Sequence, residues 1–238
     1  MGSSSFFDMQ REEHCNMKIE GAIFDFDGTL VDSMFIWENL AFDYLVSLGI
    51  TPDISINKFA ECMTLADMAL IYQKEYGVTL SVEEILSDIK EKIDERYRSE
   101  VMPKEGVLAF LESLYNKGVK MCIATLSQES VVRMVLEKFS MSHYFSEIFT
   151  TSSVGKGKNE PDMYLAALRY LGTQKENTIV FEDALYAAKT AKNAGFPLAA
   201  IYDVSEKQQE ELKALSDVYI ETYTNVNDVL KEWDERGK

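Results

Sequence analysis

The sequence is short of the residues that most often announce a site. Histidine occurs twice, at His14 and His143, and cysteine three times, at Cys15, Cys62 and Cys122. Two histidines this isolated argue against a zinc site or a histidine-based triad. Three scattered cysteines with no CxxC pair form no disulfide framework. No apolar run approaches the roughly 18 residues of a membrane-spanning helix. Residues 1–17 are Ser-rich and then charged, without the apolar stretch of a secretory signal, and Phe6 stands where a myristoylation motif wants Ser or Thr. Basic residues are also scarce: 24 Lys and Arg face 40 Asp and Glu, for a formal net charge of -16. Such a surface repels nucleic acid and anionic membranes. The expectation is a cytoplasmic protein with reduced thiols, no nucleic-acid or membrane partner, and residues 1–17 as a disordered tail.

What is present is an alternation. Apolar residues make up 46% of the 238, enough for a sizeable core. Short apolar runs recur at Ala22–Phe24, Val119–Ala124, Ile148–Phe149, Ile179–Phe181, Leu198–Ile201 and Val218–Ile220. Each is too short for a helix and suits a buried strand. Between them lie helical faces, as in Val107, Phe110, Leu111 and Leu114, or Val132, Val135, Leu136 and Phe139. The pattern predicts an α/β fold with a doubly wound, Rossmann-like parallel sheet, in which ligands bind beyond the carboxyl ends of the strands. Residues 33–102 break the rhythm. Trp37, Leu40, Ala41 and Tyr44 form one helical face, and Val82, Ile85, Leu86 and Ile89 another. This block is expected to be a small α-helical cap inserted into a core made of 18–32 and 103–238, with Pro103 and Gly106 as a hinge.

Four segments could carry chemistry. Asp25 and Asp27 leave the first strand two residues apart, so extended backbone would point both the same way before Gly28 turns the chain. Such a pair can bind a metal, serve as nucleophile and acid/base, or cap the next helix. Thr125 ends the second strand, where its hydroxyl could meet a phosphoryl oxygen or cap a helix. Lys158 precedes Pro161-Asp162 at a helix start, with Lys156 as a rival. Glu182-Asp183 closes the fourth strand, and with Asp25 it makes an oxygen-rich set suited to Mg²⁺. An acidic protein that handles phosphate needs a local positive charge, which Lys158 and a metal would supply.

Asp25-Phe26-Asp27-Gly28-Thr29-Leu30-Val31-Asp32-Ser33 after an apolar strand resembles the first motif of the haloacid dehalogenase superfamily. Thr125, Lys158 and Glu182-Asp183 resemble its other three motifs, in order, and the likeness runs from Lys18 to about Val229. There are departures: Leu126 where many relatives have a small or polar residue, Asn159 for the first Pro of the third motif, Ala184 for Ser, and Tyr186 for Gly. The resemblance implies that Asp25 attacks phosphorus to form an aspartyl-phosphate. Asp27 then protonates the leaving oxygen and later deprotonates the hydrolytic water. It implies that Thr125 and Lys158 contact the phosphoryl group. It also implies that Mg²⁺ is held by Asp25, Asp183 and the carbonyl of Asp27, with Glu182 behind them. An acid at position 27 separates this chain from the superfamily's dehalogenases, which lack one, from its transport ATPases, which carry Thr, and from its phosphonate hydrolases, which usually carry Ala.

The function expected is therefore a phosphatase for a small phosphorylated metabolite, in the branch that also holds the β-phosphoglucomutases, as a monomer or weak homodimer. The alternatives are a hexose-phosphate mutase of that kind and a non-catalytic module that kept the fold. Phe35 and Trp37 are read as core packing, Cys122 as a buried hydrophobe, and the acid-rich stretch from Glu83 to Glu95 as a solvated helix face.

Overall fold

The computed structural model describes residues 19–57 and 63–225. The expected tail, with His14 and Cys15, lies outside them, as does Cys62.

A parallel sheet of six strands forms the centre. β1 (Gly21–Phe24) lies in the middle, paired with β4 (Lys120–Thr125) on one side and β6 (Thr178–Glu182) on the other. β5 (Phe145–Thr150) flanks β4; β7 (Leu198–Ile201) and β8 (Val218–Ile220) extend the other edge. β1 and β7 are buried on both faces, which is why they read as unbroken apolar runs. Alternation splits their side chains between two cores. Ala22 and Phe24 face one, where Phe24 stacks on Phe181 at 4.2 Å and meets Phe110 edge-on. Ile23 faces the other, with Cys122, Ala124 and Val180. α4 (Val107–Asn116) and α5 (Glu129–Lys138) cover the first face. α6 (Asp162–Leu171), α7 (Leu185–Asn193) and α8 (Gln209–Leu215) cover the second. This is the doubly wound architecture expected.

Between β1 and β4 the chain makes α1 (Met34–Ser47), α2 (Leu65–Tyr76) and α3 (Val82–Ser99). Their ends are written in the sequence. Thr64 and Asp67 form a capping box at the start of α2, and Gly77 in the left-handed region ends it. Ser81 and Glu84 form a second box at the start of α3. On α3, Ile85, Ile89, Ile93 and Tyr97 recur every fourth residue and make its buried stripe.

The neck of this insert carries a feature the sequence did not reveal. β2 (Val31–Asp32) pairs antiparallel with β3 (Met102–Pro103), so the chain leaves and returns side by side. Two-residue strands carry no readable alternation. Lys104 clamps the neck: its Nζ lies 3.0 Å from Asp32 and 2.8 Å from Asp203.

Candidate active site

The register of β1 against its neighbours sets up the site. Phe24 is level with Ile123 and Phe181, so the residues that follow emerge together at the carboxyl edge: Asp25, Thr125 and the Glu182-Asp183 pair. The Asp25 amide donates to the Phe181 carbonyl at 2.9 Å, which carries the sheet pairing one residue further.

Three carboxylates converge there. One oxygen each of Asp25, Glu182 and Asp183 lies within 4.8 Å of the others. Lys158 is the cation set among them, its Nζ 2.5 Å from Asp25 Oδ1 and 2.8 Å from Glu182 Oε2, which also accepts the Tyr164 hydroxyl at 3.2 Å. Lys158 is 2% exposed; Lys156, its rival in the sequence, is exposed and pairs with Glu160 at 2.8 Å. One ammonium among three buried carboxylates leaves excess negative charge, and the titrations reflect it. Burial and then the charge of Glu182 push the Asp25 carboxyl up to about 7, against the pull of Lys158. Burial, then Asp25 and Glu182, hold Asp183 well above the usual carboxylate range. Burial alone would lower Lys158, but Asp25 and Glu182 overcome it and hold the ammonium firmly protonated.

The donor set fits a hard divalent cation. It is all oxygen and short of positive charge, and Glu182 Oε1 is buried with no hydrogen-bond partner among the described residues. Asp183 is aimed by Thr29, whose hydroxyl donates to Oδ1 at 2.8 Å. Gly28 makes room for it: its φ is +74°, and a Cβ there would stand 2.2 Å from Asp183 Oδ2.

Asp27 faces a different environment. Ser33 donates to its Oδ1 at 2.6 Å, Tyr97 of α3 donates to the same oxygen, and Ser127 donates to Oδ2. Trp37 Nε1 in turn donates to the Tyr97 hydroxyl at 3.0 Å. Burial raises the Asp27 carboxyl above its usual range even though these three hydroxyls pull it down. A half-buried, tightly oriented carboxyl with a raised pKa can carry a proton and deliver it. Thr125 Oγ1 accepts the Ser127 amide at 3.0 Å, so its own hydrogen is what it can offer an anion.

The site thus brings together every residue singled out in the sequence: Asp25, Asp27, Thr125, Lys158 and Asp183. The grip on Asp27 does not show in the sequence: Ser33 stands inside the first motif, and Tyr97 and Ser127 lie 70 and 100 residues away. A signal for Tyr97 existed: it is the polar-tipped member of the isoleucine stripe on α3. One expectation needs correction. Trp37 is 39% exposed and bonds Tyr97, so it is no core residue, whereas Phe35 is partly buried against the core. The acid-rich stretch of α3 is a solvated face as expected: Glu83, Glu84, Glu91 and Glu95 are exposed, and Asp88 and Asp94 are half-buried. Cys122 is fully buried, and that burial raises its thiol well above the normal range.

Residues 22–201 match the family model of haloacid dehalogenase-like hydrolases. The chain is 25% identical over 222 residues to 6-phosphogluconate phosphatase of Escherichia coli (strain K12), covering 92% of this chain and 97% of that one. It is 26% identical over 201 residues to the phosphorylated carbohydrates phosphatase of Thermotoga maritima, covering 78% and 85%. Among solved structures, a Thermotoga maritima protein named for beta-phosphoglucomutase superposes with a TM-score of 0.77 at 23% identity, over 90% of this chain and 99% of that one; that likeness speaks for the fold. The chain belongs to the haloacid dehalogenase-like hydrolase family.

Proposed function

We propose that this hydrolase is a Mg²⁺-dependent phosphatase that cleaves small organic phosphomonoesters through an aspartyl-phosphate on Asp25. One observation carries the reading: Asp25, beside the buried Lys158 ammonium, shares the carboxyl edge with a second carboxyl, Asp27, kept in a separate cage of hydroxyls. One carboxyl beside an ammonium and the other held by hydroxyls are placed for different roles, nucleophile and acid/base.

In the first step a carboxylate oxygen of Asp25 attacks phosphorus, and the bond from phosphorus to the leaving oxygen breaks. Asp27 gives that oxygen its proton. In the second step Asp27 takes a proton from water as the water oxygen attacks phosphorus, and the bond to Asp25 breaks, freeing phosphate and restoring both carboxyls. Lys158 holds Asp25 in line and offsets phosphoryl charge, and Thr125 offers a hydroxyl to a phosphoryl oxygen. Mg²⁺, held by the side chains of Asp25 and Asp183 and the carbonyl of Asp27, would supply the remaining positive charge. The helical insert serves as the cap that shelters the site, and Tyr97 is its link to the acid.

The mutase alternative is not favoured, since the two curated relatives described above are named as phosphatases. A setting in the cytoplasm and a monomeric or weakly dimeric state remain part of the proposal; among the described residues no helix is long and apolar enough to cross a membrane. The test is phosphate release from p-nitrophenyl phosphate and a panel of sugar and nucleotide phosphates, with Mg²⁺ and with EDTA. Release that needs Mg²⁺ supports the reading. Interconversion of hexose phosphates without free phosphate would replace it with the mutase.

A further inference from the structure

Asp27 is gripped by hydroxyls, and a hydroxyl has one hydrogen, which it can turn toward different acceptors. Packing alone does not settle where the Tyr97 hydrogen points. The Tyr97 ring is fully buried and lies nearly parallel to that of Phe26, the residue between Asp25 and Asp27, with centroids 6.5 Å apart. That contact fixes the ring and leaves the O–H free to rotate about its C–O bond. Ser127 also stands within hydrogen-bonding reach of the Tyr97 hydroxyl. Two arrangements are therefore open. Tyr97 and Ser127 can each donate to Asp27, or the two hydroxyls can bond each other and leave an Asp27 oxygen short of a donor.

Trp37 decides between them. An indole N–H only donates. Trp37 Nε1 lies 3.0 Å from the Tyr97 oxygen and engages it as an acceptor. The Tyr97 hydrogen must then point away from the indole, and it goes to Asp27 Oδ1, while Ser127 donates to Oδ2. The indole bond runs from α1 to α3, so two helices of the insert have to be seated before the acid is fully held. Trp37, Tyr97 and Ser127 also line one cavity of about 260 Å³ beside the acid, where water could otherwise draw these hydrogens away.

We infer that Trp37 is a positioning residue for the general acid, acting through Tyr97 by fixing the direction in which that hydroxyl donates to Asp27. The inference rests on the phosphatase reading and adds to it a residue that acts on Asp27 at one remove.

The test is Trp37→Phe, which keeps a ring in the cavity wall and removes only the N–H donor and part of the indole. Its readout is kcat/KM, which covers the steps up to departure of the alcohol, for n-propyl phosphate and for p-nitrophenyl phosphate. The alkyl ester needs a proton on its leaving oxygen and should lose about tenfold, whereas the nitrophenyl ester should lose at most about twofold. In a Tyr97→Phe background the same change should cost less than about twofold further, because the bond it removes no longer exists. Trp37→Leu, read in the same way, decides the matter if the phenylalanine variant does not fold. Equal losses on the two esters, no loss on either, or a loss that persists undiminished in the Tyr97→Phe background overturns the role of Trp37 and leaves the phosphatase standing. Failure of the wild-type chain to release phosphate from any ester overturns both.

Discussion

At the carboxyl ends of β1 and β6 the charges are pressed against one another. Asp25, Glu182 and Asp183 surround Lys158, all of them buried or nearly so, and each depends on the next for its charge state. On α3 the polar groups are strung along a helix rather than packed together. Tyr97 reaches across to Asp27, and Asp94, one turn earlier, is half-buried, its Oδ1 without a hydrogen-bond partner among the described residues. A crowded, mutually dependent cluster tolerates almost no substitution, so it suits the step every substrate shares. Isolated groups on a helix face can be exchanged one by one, so they suit discrimination between substrates. On that division, changes in the cluster should cost turnover with all esters alike. Changes on α3 should depend on the leaving group.

The largest effect belongs to Asp25→Asn. Removing the nucleophile should lower turnover at least about 10⁴-fold with every ester. The fold should survive, because the change removes a carboxylate from a cluster with too many. Urea denaturation in EDTA should find the variant no less stable than wild type. Retained hydrolysis would remove Asp25 from the chemistry.

Lys158→Met should be nearly as damaging and should differ in kind. The ammonium is the one cation between Asp25 and Glu182, at 2.5 and 2.8 Å. Its loss leaves buried carboxylates uncompensated, which costs on the order of 3–5 kcal/mol. The urea midpoint at pH 7.5 in EDTA should drop accordingly, and activity should fall with all esters. A variant of wild-type stability would mean that the carboxylates are not charged together in the folded protein.

Tyr97→Phe tests the border between the two regions. The lost hydroxyl is one of three donors to Asp27 and comes from the insert. If it orients the acid, kcat should fall about ten- to a hundredfold with n-propyl phosphate, whose alkoxide needs a proton to leave. With p-nitrophenyl phosphate, whose leaving group departs as a stable anion, the loss should stay within about threefold. Equal losses on both esters would make Tyr97 a packing residue and break the division.

Much of the core was legible in the sequence. Each buried strand announced itself as an apolar run, because parallel strands covered on both faces have no polar side to show. The carboxylates and Lys158 were legible because each follows such a strand or stands shortly before a helix, so chain position fixes spatial position. The grip on Asp27 was not. Ser33, Tyr97 and Ser127 meet only after the insert has folded back over the sheet, and no spacing encodes that. The β2–β3 neck was too short to show alternation. The burial of Asp94 Oδ1 depends on how α3 lies over α5, which a helical pattern does not report.

The smallest effect, a shift of a few degrees in Tm, concerns the cluster and its metal. Without metal, burial and Glu182 raise the folded-state carboxyl of Asp25 to about 7, from about 3.8 in the unfolded chain. The folded state therefore holds a proton that the unfolded state has already released. The stability contributed by that proton is intact below about pH 3.8 and is lost as pH rises through 7. Asp183 is raised by burial and by Asp25, and it contributes with the same sign. In EDTA, then, Tm should carry a downward component between pH 5 and pH 8. A divalent cation replaces the protons, and it binds better as they leave. The rise in Tm on adding Mg²⁺ should consequently be larger at pH 8 than at pH 5, and Asp183→Asn should abolish most of it. On α3, Asp94→Asn should leave this pH-dependent gap untouched. An equal gap at both pH values in the wild-type chain would mean that the metal, if it binds, does so away from these carboxylates.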